Sequence, residues 1–568
     1  MRSSVPVAAV AVSVLLLAGC SEGGHEGRRP VEGATKGVTK GAAGASLGDF
    51  NGDGYDDFAT AIRPTSASRG PLPARLAVVY GGAHGLDPRH RLVVNGAEDD
   101  YVGPLLRTDL DRDGFTDLVT ARFRYGGSPR AERTGETVVL RGGPRGLAVG
   151  DFDGDGAADL LASAADGEGD ARADGEGDGQ GDGQGRGRGD GQGRGRGDDQ
   201  RHGRGDSQGD AQGVVRVLYG PFGTNAHPAR TAPLPTGPTD RPRRGAPATA
   251  TAGDFNGDHR TDLVLTYRYG LGQADQPDQL DQPEPGDTAP LDTPVAHYRG
   301  GPKGLVRDKR PEARLAHALG TEDGPREPAA GDADHDGIDD LLAPGQGTLG
   351  PGRHRGSGRL TVVHGAKSGL GRGRADLTVD QSGPGMPGDA RRGDGFGGSP
   401  AVGDITGDGR PDLVVAIPEK HNGNGRLTLL PGSRHGHGGE YAPDPDKSPQ
   451  SPQSPQSPQS PQSSQSSQSP RSPHRGHGRS PGREQSLDLD TPGVPGRHTP
   501  YGFDAFAPQP PLLDVDGDGH DDVVAAAPGY GHGRTGGFWI FRGTGHGLST
   551  RNVHRFTPAD LGIRFRTA

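Results

Sequence analysis

Apolar residues in this chain gather into short runs of two alternating kinds. One kind leaves an acidic segment and starts at Phe58, Leu118, Leu160, Leu263, Leu341, Leu413 and Val523. The other ends in glycine, often as Gly-Gly-x-x-Gly-Leu: LAVVYGGAHGL (76–86), TVVLRGGPRGL (137–147), VVRVLYGPFG (214–223), PVAHYRGGPKGL (294–305), LTVVHGAKSGL (360–370), LTLLPGSRHG (427–436) and FWIFRGTGHGL (538–548). Short β-branched and aliphatic runs bounded by Gly, Pro and Asp predict strands. The one long apolar run, Val5 to Ala18, has about fourteen residues, too few to span a bilayer.

The segments before the first kind of run share a nine-residue pattern that recurs seven times. Positions 1, 3, 5 and 9 are Asp49, Asn51, Asp53 and Asp57 in the first copy, then Asp109, Asp111, Asp113 and Asp117, and Asp151, Asp153, Asp155 and Asp159. The remaining copies supply Asp254, Asn256, Asp258 and Asp262; Asp332, Asp334, Asp336 and Asp340; Asp404, Thr406, Asp408 and Asp412; and Asp514, Asp516, Asp518 and Asp522. Alternate residues of a tight loop point inward, so positions 1, 3 and 5 offer side-chain oxygens and position 9 closes the shell. Position 7 offers a backbone carbonyl, from Tyr55, Phe115, Ala157, Arg260, Ile338, Arg410 and His520 in turn. Hard oxygen donors on an adaptable loop suit calcium better than magnesium or zinc. Position 6 must turn sharply and is Gly in every copy but the fourth, which has His259. An EF-hand would need a Glu at position 12, where this chain has Thr60, Thr120, Ala162, Leu265, Ala343, Val415 and Ala525.

Seven acidic loops, each with a strand leaving it and a glycine-ended strand after, resemble the FG-GAP repeat family, known from integrin α heads. The sixth unit carries the match best: Phe396-Gly397 open it, Ser399 to Gly403 lead into the loop and Leu413 to Pro418 leave it. The resemblance implies an all-β, seven-bladed β-propeller over 42–568, each blade four antiparallel strands A to D, with calcium in the A–B loop. Up to seven structural ions are expected, least surely in loops 4 and 6. Only Ala148, Val149 and Gly150 separate Leu147 from Asp151, so the second blade is expected to lack room for its own D strand.

Composition narrows the class further. The 104 Gly and 51 Pro make up about 27% of the 568 residues, against about 12% on average, which excludes a long-helix protein. The net charge of −11 disfavours nucleic acid as a partner. The early apolar run follows Arg2 and ends Leu17-Ala18-Gly19-Cys20, which resembles the lipobox of bacterial lipoproteins. That implies a signal peptide at 1–19, lipidation of Cys20, a flexible tether at 20–41 and a place in the cell envelope outside the cytoplasm, with plain secretion as the alternative. Cys20 is the only cysteine, so no disulfide framework exists.

Three low-complexity stretches, about 166–212, 266–293 and 433–483, interrupt the repeats and cannot bury apolar surface. The Arg-Gly-Asp triplets at Arg188, Arg196 and Arg204 arise in a Gly/Arg/Asp run, where chance suffices. The G-x-S-x-G at Gly44 to Gly48 runs straight into loop 1 and lacks the strand-to-helix turn of a nucleophile elbow. The histidines at 435, 437, 474 and 477 sit in Gly/Ser/Pro-rich linker. The expectation is a non-enzymatic, monomeric binding or adhesion module with an unidentified protein or carbohydrate ligand. Its rivals are a propeller lyase or hydrolase, and a purely structural surface domain.

Overall fold

The computed structural model describes residues 48–62, 65–66, 70–71, 75–95, 105–112, 115–119, 130–134, 137–141, 145–163, 215–223, 227–235, 247–267, 295–320, 327–345, 356–383, 386–432, 484–500, 502–531 and 535–564. Cys20, the tether, Asp113, the Arg-Gly-Asp triplets and most of the three insertions lie outside them. Among the described residues the fold is an all-β propeller with six four-stranded sheets, a three-stranded one and a two-stranded ribbon, Thr65–Ser66 with Gly70–Pro71.

The third sheet shows the plan. Strand A (Arg145–Gly150) pairs with B (Asp159–Ser163), B with C (Val215–Tyr219) and C with D (Arg230–Pro233), all antiparallel. The sheets built on B strands Asp262–Thr266, Asp340–Gly345, Asp412–Ile417 and Asp522–Ala526 repeat this order. In the described loops, strand B begins at position 9 of the acidic pattern or one residue after it. Because neighbours are antiparallel, the A–B loops and C–D connections share one end of the propeller. The B–C and D–A connections share the other.

Strand B is apolar on both sides because it faces a neighbouring sheet on each. In Asp412–Ile417, Leu413, Val415 and Ile417 enter the core shared with the fifth sheet, while Val414 enters the one shared with the seventh. The two-residue side-chain period makes this split automatic. Every buried cluster lies between two consecutive sheets, and one joins the ends of the chain: Phe58, Ile62 and Val79 pack on Val515, Val524, Phe538 and Phe556. Phe58 meets Phe538 edge-on at 5.3 Å between centroids.

Two sheets depart from the expected plan. The first has Phe58–Ile62, Arg75–Val79 and Arg91–Asn95 only; residues before 48 are outside the described part. In the second, Thr137–Arg141 is followed at once by Arg145–Gly150, which is already strand A of the third sheet. No D strand follows, as the short spacing requires. The correction is that the sheet still has four strands, since Arg130–Thr134, ahead of Thr137–Arg141, takes the edge, and Thr137–Arg141 runs parallel to Asp117–Val119. The Gly-Leu read as the end of a hairpin therefore starts the next sheet.

A repeated acidic loop and its glycine clamp

The loop is shaped first by its own carboxylates. Position 1 accepts backbone N–H groups from positions 4, 5 and 6: Asp151 takes Gly154 (2.7 Å), Asp155 (3.2 Å) and Gly156 (2.8 Å). Asp49 does the same with Gly52, Asp53 and Gly54. Position 5 accepts the N–H of position 7, as Asp336 does from Ile338 at 2.9 Å. The turn needs left-handed backbone at position 6, where His259 adopts φ 62° in place of glycine, and equally at position 4. Gly52, Gly154, Gly257, Gly407 and Gly517 meet that second need, and Arg112 and His335 adopt it at φ 59° and 63°.

Position 9 ties the loop to the sheet. Asp159 accepts Phe152 N–H (2.9 Å) at one oxygen and Gly220 N–H (2.8 Å) at the other. Asp57 joins Phe50 to Gly81, Asp340 joins Ala333 to Gly365, and Asp412 joins Thr406 to Gly432. Asp262 and Asp522 accept Gly300 and Gly543 N–H. These glycines end strand C, and a Cβ on them would strike the position-8 carbonyl: 2.3 Å for Gly81 on Asp56, 2.2 Å for Gly365 on Asp339, 2.4 Å for Gly543 on Asp521. The two sequence signatures are the halves of one contact.

Position 3 distinguishes the loops. Asp153, Asp334 and Asp516 each give one oxygen to an arginine, Arg230 at 3.0 Å, Arg374 at 2.5 Å and Arg542 respectively. The other oxygen of each is buried without a hydrogen-bond partner. Asp151, Asp153 and Asp159 bring an oxygen apiece within 4.8 Å, as do Asp109, Asp111 and Asp117, and Asp332, Asp334 and Asp336. Buried carboxylate oxygens without donors are costly, and an oxygen-only donor set around them fits a hard cation. Elsewhere position 3 is spent differently: Asn51 donates to Asp53 (3.0 Å) and Asn256 to Asp262 (2.8 Å). In loop 5, His364 reaches Asp334 (3.2 Å) and Asp340 (3.3 Å). Burial resists its charge, but the two carboxylates push its pKa up to about 9.

Adjacent loops are linked through positions 7 and 8, which the sequence pattern did not single out as contacts. Asp339 N–H donates to Asp254 C=O (3.0 Å) and its carboxylate accepts Asp254 N–H (2.8 Å). The pairs Asp521 with Asp404 and Asp56 with Asp514 are alike, the latter across the chain ends; Thr261 does it for Asp151 through its hydroxyl. Position 7 lies over the preceding loop's position 4: Phe115 over Gly52, Ile338 over Gly257, His520 over Gly407 and Tyr55 over Gly517. Where position 4 is Arg112, the next position 7 is Ala157, and Arg112 reaches Asp155 instead.

Burial, against the pull of two backbone N–H groups and aided by Asp53 and Asp49 in one loop and by Asp153 and Asp151 in the other, raises Asp57 and Asp159 to about 7. In Asp262 the opposing donors are Gly300 N–H and the Asn256 side chain, and its value is also about 7. Asp412 rises to about 6 and Asp522 to about 8, mainly through burial. A carboxylate whose folded pKa is raised holds its proton longer than the unfolded chain does, so stability falls as pH rises through the folded value. His297, held at about 4 by burial, has the opposite sign only below its unfolded value near 6.5. In excess EGTA the melting temperature should therefore drop between pH 6 and pH 8. A metal-free melt that is flat or rises over that window would show that these carboxylates are not buried as described.

The fold is that of a β-propeller, and the family model "FG-GAP repeat" matches two stretches of it, residues 396–430 and 506–541. Each match begins at a phenylalanine that is fully buried, Phe396 and Phe506. Gly397 after the first has φ 93° and lies against Arg359 C=O, where a Cβ would come to 2.3 Å. No curated protein matches the chain. Solved structures that match include "Crystal structure of exotype rhamnogalacturonan lyase YesX", at 16% identity and TM-score 0.24, covering 70% of this chain and 58% of that one. A likeness at that score carries no argument.

Proposed function

We propose that the chain is a calcium-stabilised binding module, a propeller of seven blades whose first is the three-stranded sheet, displayed outside the cytoplasm through a lipidated Cys20. The observation that carries the calcium reading is the buried, donorless oxygen on Asp153, Asp334 and Asp516. A cation shared with positions 1, 5 and 9 would satisfy it and offset the repulsion among the carboxylates. With an extracellular-type affinity of about 10⁻⁴ M and free calcium of about 1 mM, linkage gives about 1.4 kcal/mol per site. Several sites would then supply a large share of the stability of a typical fold. Calcium should raise the melting temperature steeply over that in EGTA; equal melts in the two would sink the assignment.

The A–B end is occupied by repeated loops that bond to one another, which leaves the B–C and D–A end as the working face for a protein or carbohydrate ligand. The two insertions between strands B and C, at about 166–212 and 266–293, join the sheets at that end. Screening the purified chain against polysaccharides and envelope proteins should give saturable binding without turnover. Turnover of any polysaccharide would replace the binding module with an enzyme. The anchor is read separately: Cys20→Ser should shift the protein out of the membrane fraction or leave its precursor uncleaved, and mature protein still bound to membranes would contradict it.

A further inference from the structure

At the end opposite the acidic loops, the B–C connection of the sixth sheet meets the connection from the sixth sheet to the seventh. Residues 422–424 and 503–506 are zipped by backbone bonds: Phe503 N–H to Asn422 C=O (3.3 Å), Ala505 to Gly423 (2.9 Å) and Phe506 to Asn424 (2.8 Å). His421, Asn422, Phe503, Ala505 and Ala507 all take left-handed backbone, φ 51–67°, which strains a non-glycine residue. At this junction His421, Asp488 and His498 bring one ligand atom each within 4.8 Å of one another. His421 Nδ1 is 4.0 Å from Asp488 Oδ2.

His498 supplies the second observation. Its side chain is only 6% exposed, and Nδ1 lies 3.1 Å from Oδ2 of the fully buried Asp504. Its Nε2 is buried and has no hydrogen-bond partner. With Nδ1–H donated to Asp504, the lone pair sits on Nε2, the arrangement in which a carboxylate orients and strengthens a metal-binding imidazole. We propose that His421, Asp488 and His498 form a transition-metal site of the zinc type, distinct from the acidic loops and independent of any calcium there.

The donor set decides the metal class, since two imidazole nitrogens and one carboxylate suit zinc, cobalt or copper and not calcium. The nearby charges permit it. Arg426 donates to Asp488 Oδ2 from Nε (3.1 Å) and Nη2, while Lys420 is already held by Asp394 at 2.6 Å. Two carboxylates, Asp488 and Asp504, thus stand against one arginine, itself bound to Asp488 Oδ2; Asp488 Oδ1 accepts Asp490 N–H (3.1 Å) and the Thr491 hydroxyl (2.9 Å), and a cation would share this carboxylate with those donors. His421 is 39% exposed in its side chain, which leaves the metal open to solvent on that side.

The test is a cobalt(II) titration of the full chain, purified without a polyhistidine tag, stripped with EDTA and returned to millimolar calcium. One equivalent should bind with the visible absorption of nitrogen-ligated cobalt and be displaced by zinc. His421→Ala and His498→Ala should each weaken it at least tenfold, and Asp504→Asn by about 10-fold or more through loss of the orienting bond. A chain lacking 433–483, and with it the linker histidines, should keep the band. Because His498 is buried, its variant could fail to fold; His421→Ala, at the exposed ring, keeps the result decisive. No cobalt band in the parent chain, a band unchanged in a normally melting His421→Ala variant, or a band lost with 433–483 would each overturn the site.

Discussion

In every sheet whose strand C glycine is described, the blade hangs on the position-9 carboxylate. It fastens the first turn of its own loop, receives the N–H of the glycine ending strand C and sits among the other loop carboxylates. The backbone approach this demands removes every side chain from that glycine, because the position-8 carbonyl fills the space a Cβ would need. An anionic clamp buried this deeply is only half satisfied by two neutral donors, as the raised values of Asp57, Asp159 and Asp522 express. The fold must hold it protonated or give it a positive partner. Arginines on position 3 supply part of that charge in loops 3, 5 and 7, and in loop 5 His364 adds more.

The same loops also join the blades. In loops 4, 5, 7 and 1, position 8 exchanges a pair of bonds with the preceding position 1 and position 7 covers the preceding position 4, so each of these loops braces the one before it. The link between Asp56 and Asp514 and the Tyr55 ring over Gly517 repeat this contact between the ends of the chain. With the aromatic cluster of Phe58, Phe538 and Phe556 beneath, the first and last sheets meet through ordinary blade-to-blade contacts. Among the described residues no strand is exchanged between them. Closure therefore depends on side chains and loop bonds, which makes the state of the loops a matter for the whole ring.

What could be read along the chain was whatever depends on near neighbours. Seven acidic loops, strand B leaving each and strand C ending in glycine are local patterns, and the strands fall where those patterns put them, as far as Gln485–Leu487 after the Ser-Pro-Gln tract. What stayed hidden depends on partners far away in sequence. Glycine at position 4 was visible in five loops, yet part of its cause, beside the left-handed turn, is the next loop's position 7 lying over it. Asp56, Asp339 and Asp521 stand beside the position-9 residues Asp57, Asp340 and Asp522, and only the adjacent blade reveals them as acceptors. The strand order of the second sheet was illegible for another reason. Arg130–Thr134 and Thr137–Arg141 are both credible strands, and which of them lies beside Asp117–Val119 is settled by packing.

The two ends of the propeller obey different constraints. At the A–B end positions 7 and 8 of the loop face the neighbouring blade and position 9 makes the clamp, so position 4 of one loop is matched to position 7 of the next, as Arg112 is to Ala157. Among the described residues the opposite end shows no such chain of contacts. It holds the helix Glu312–Leu319 between the fourth and fifth sheets and the left-handed junction around His421 and Phe503. The junction stays strained because the zipped backbone bonds to 503–506 and the buried Asp504 hold it, not because its own residues favour it. Strain of that sort is affordable only where the rest of the ring is rigid. Loops braced from blade to blade at one end are thus the condition under which irregular, chemically varied surface can be built at the other.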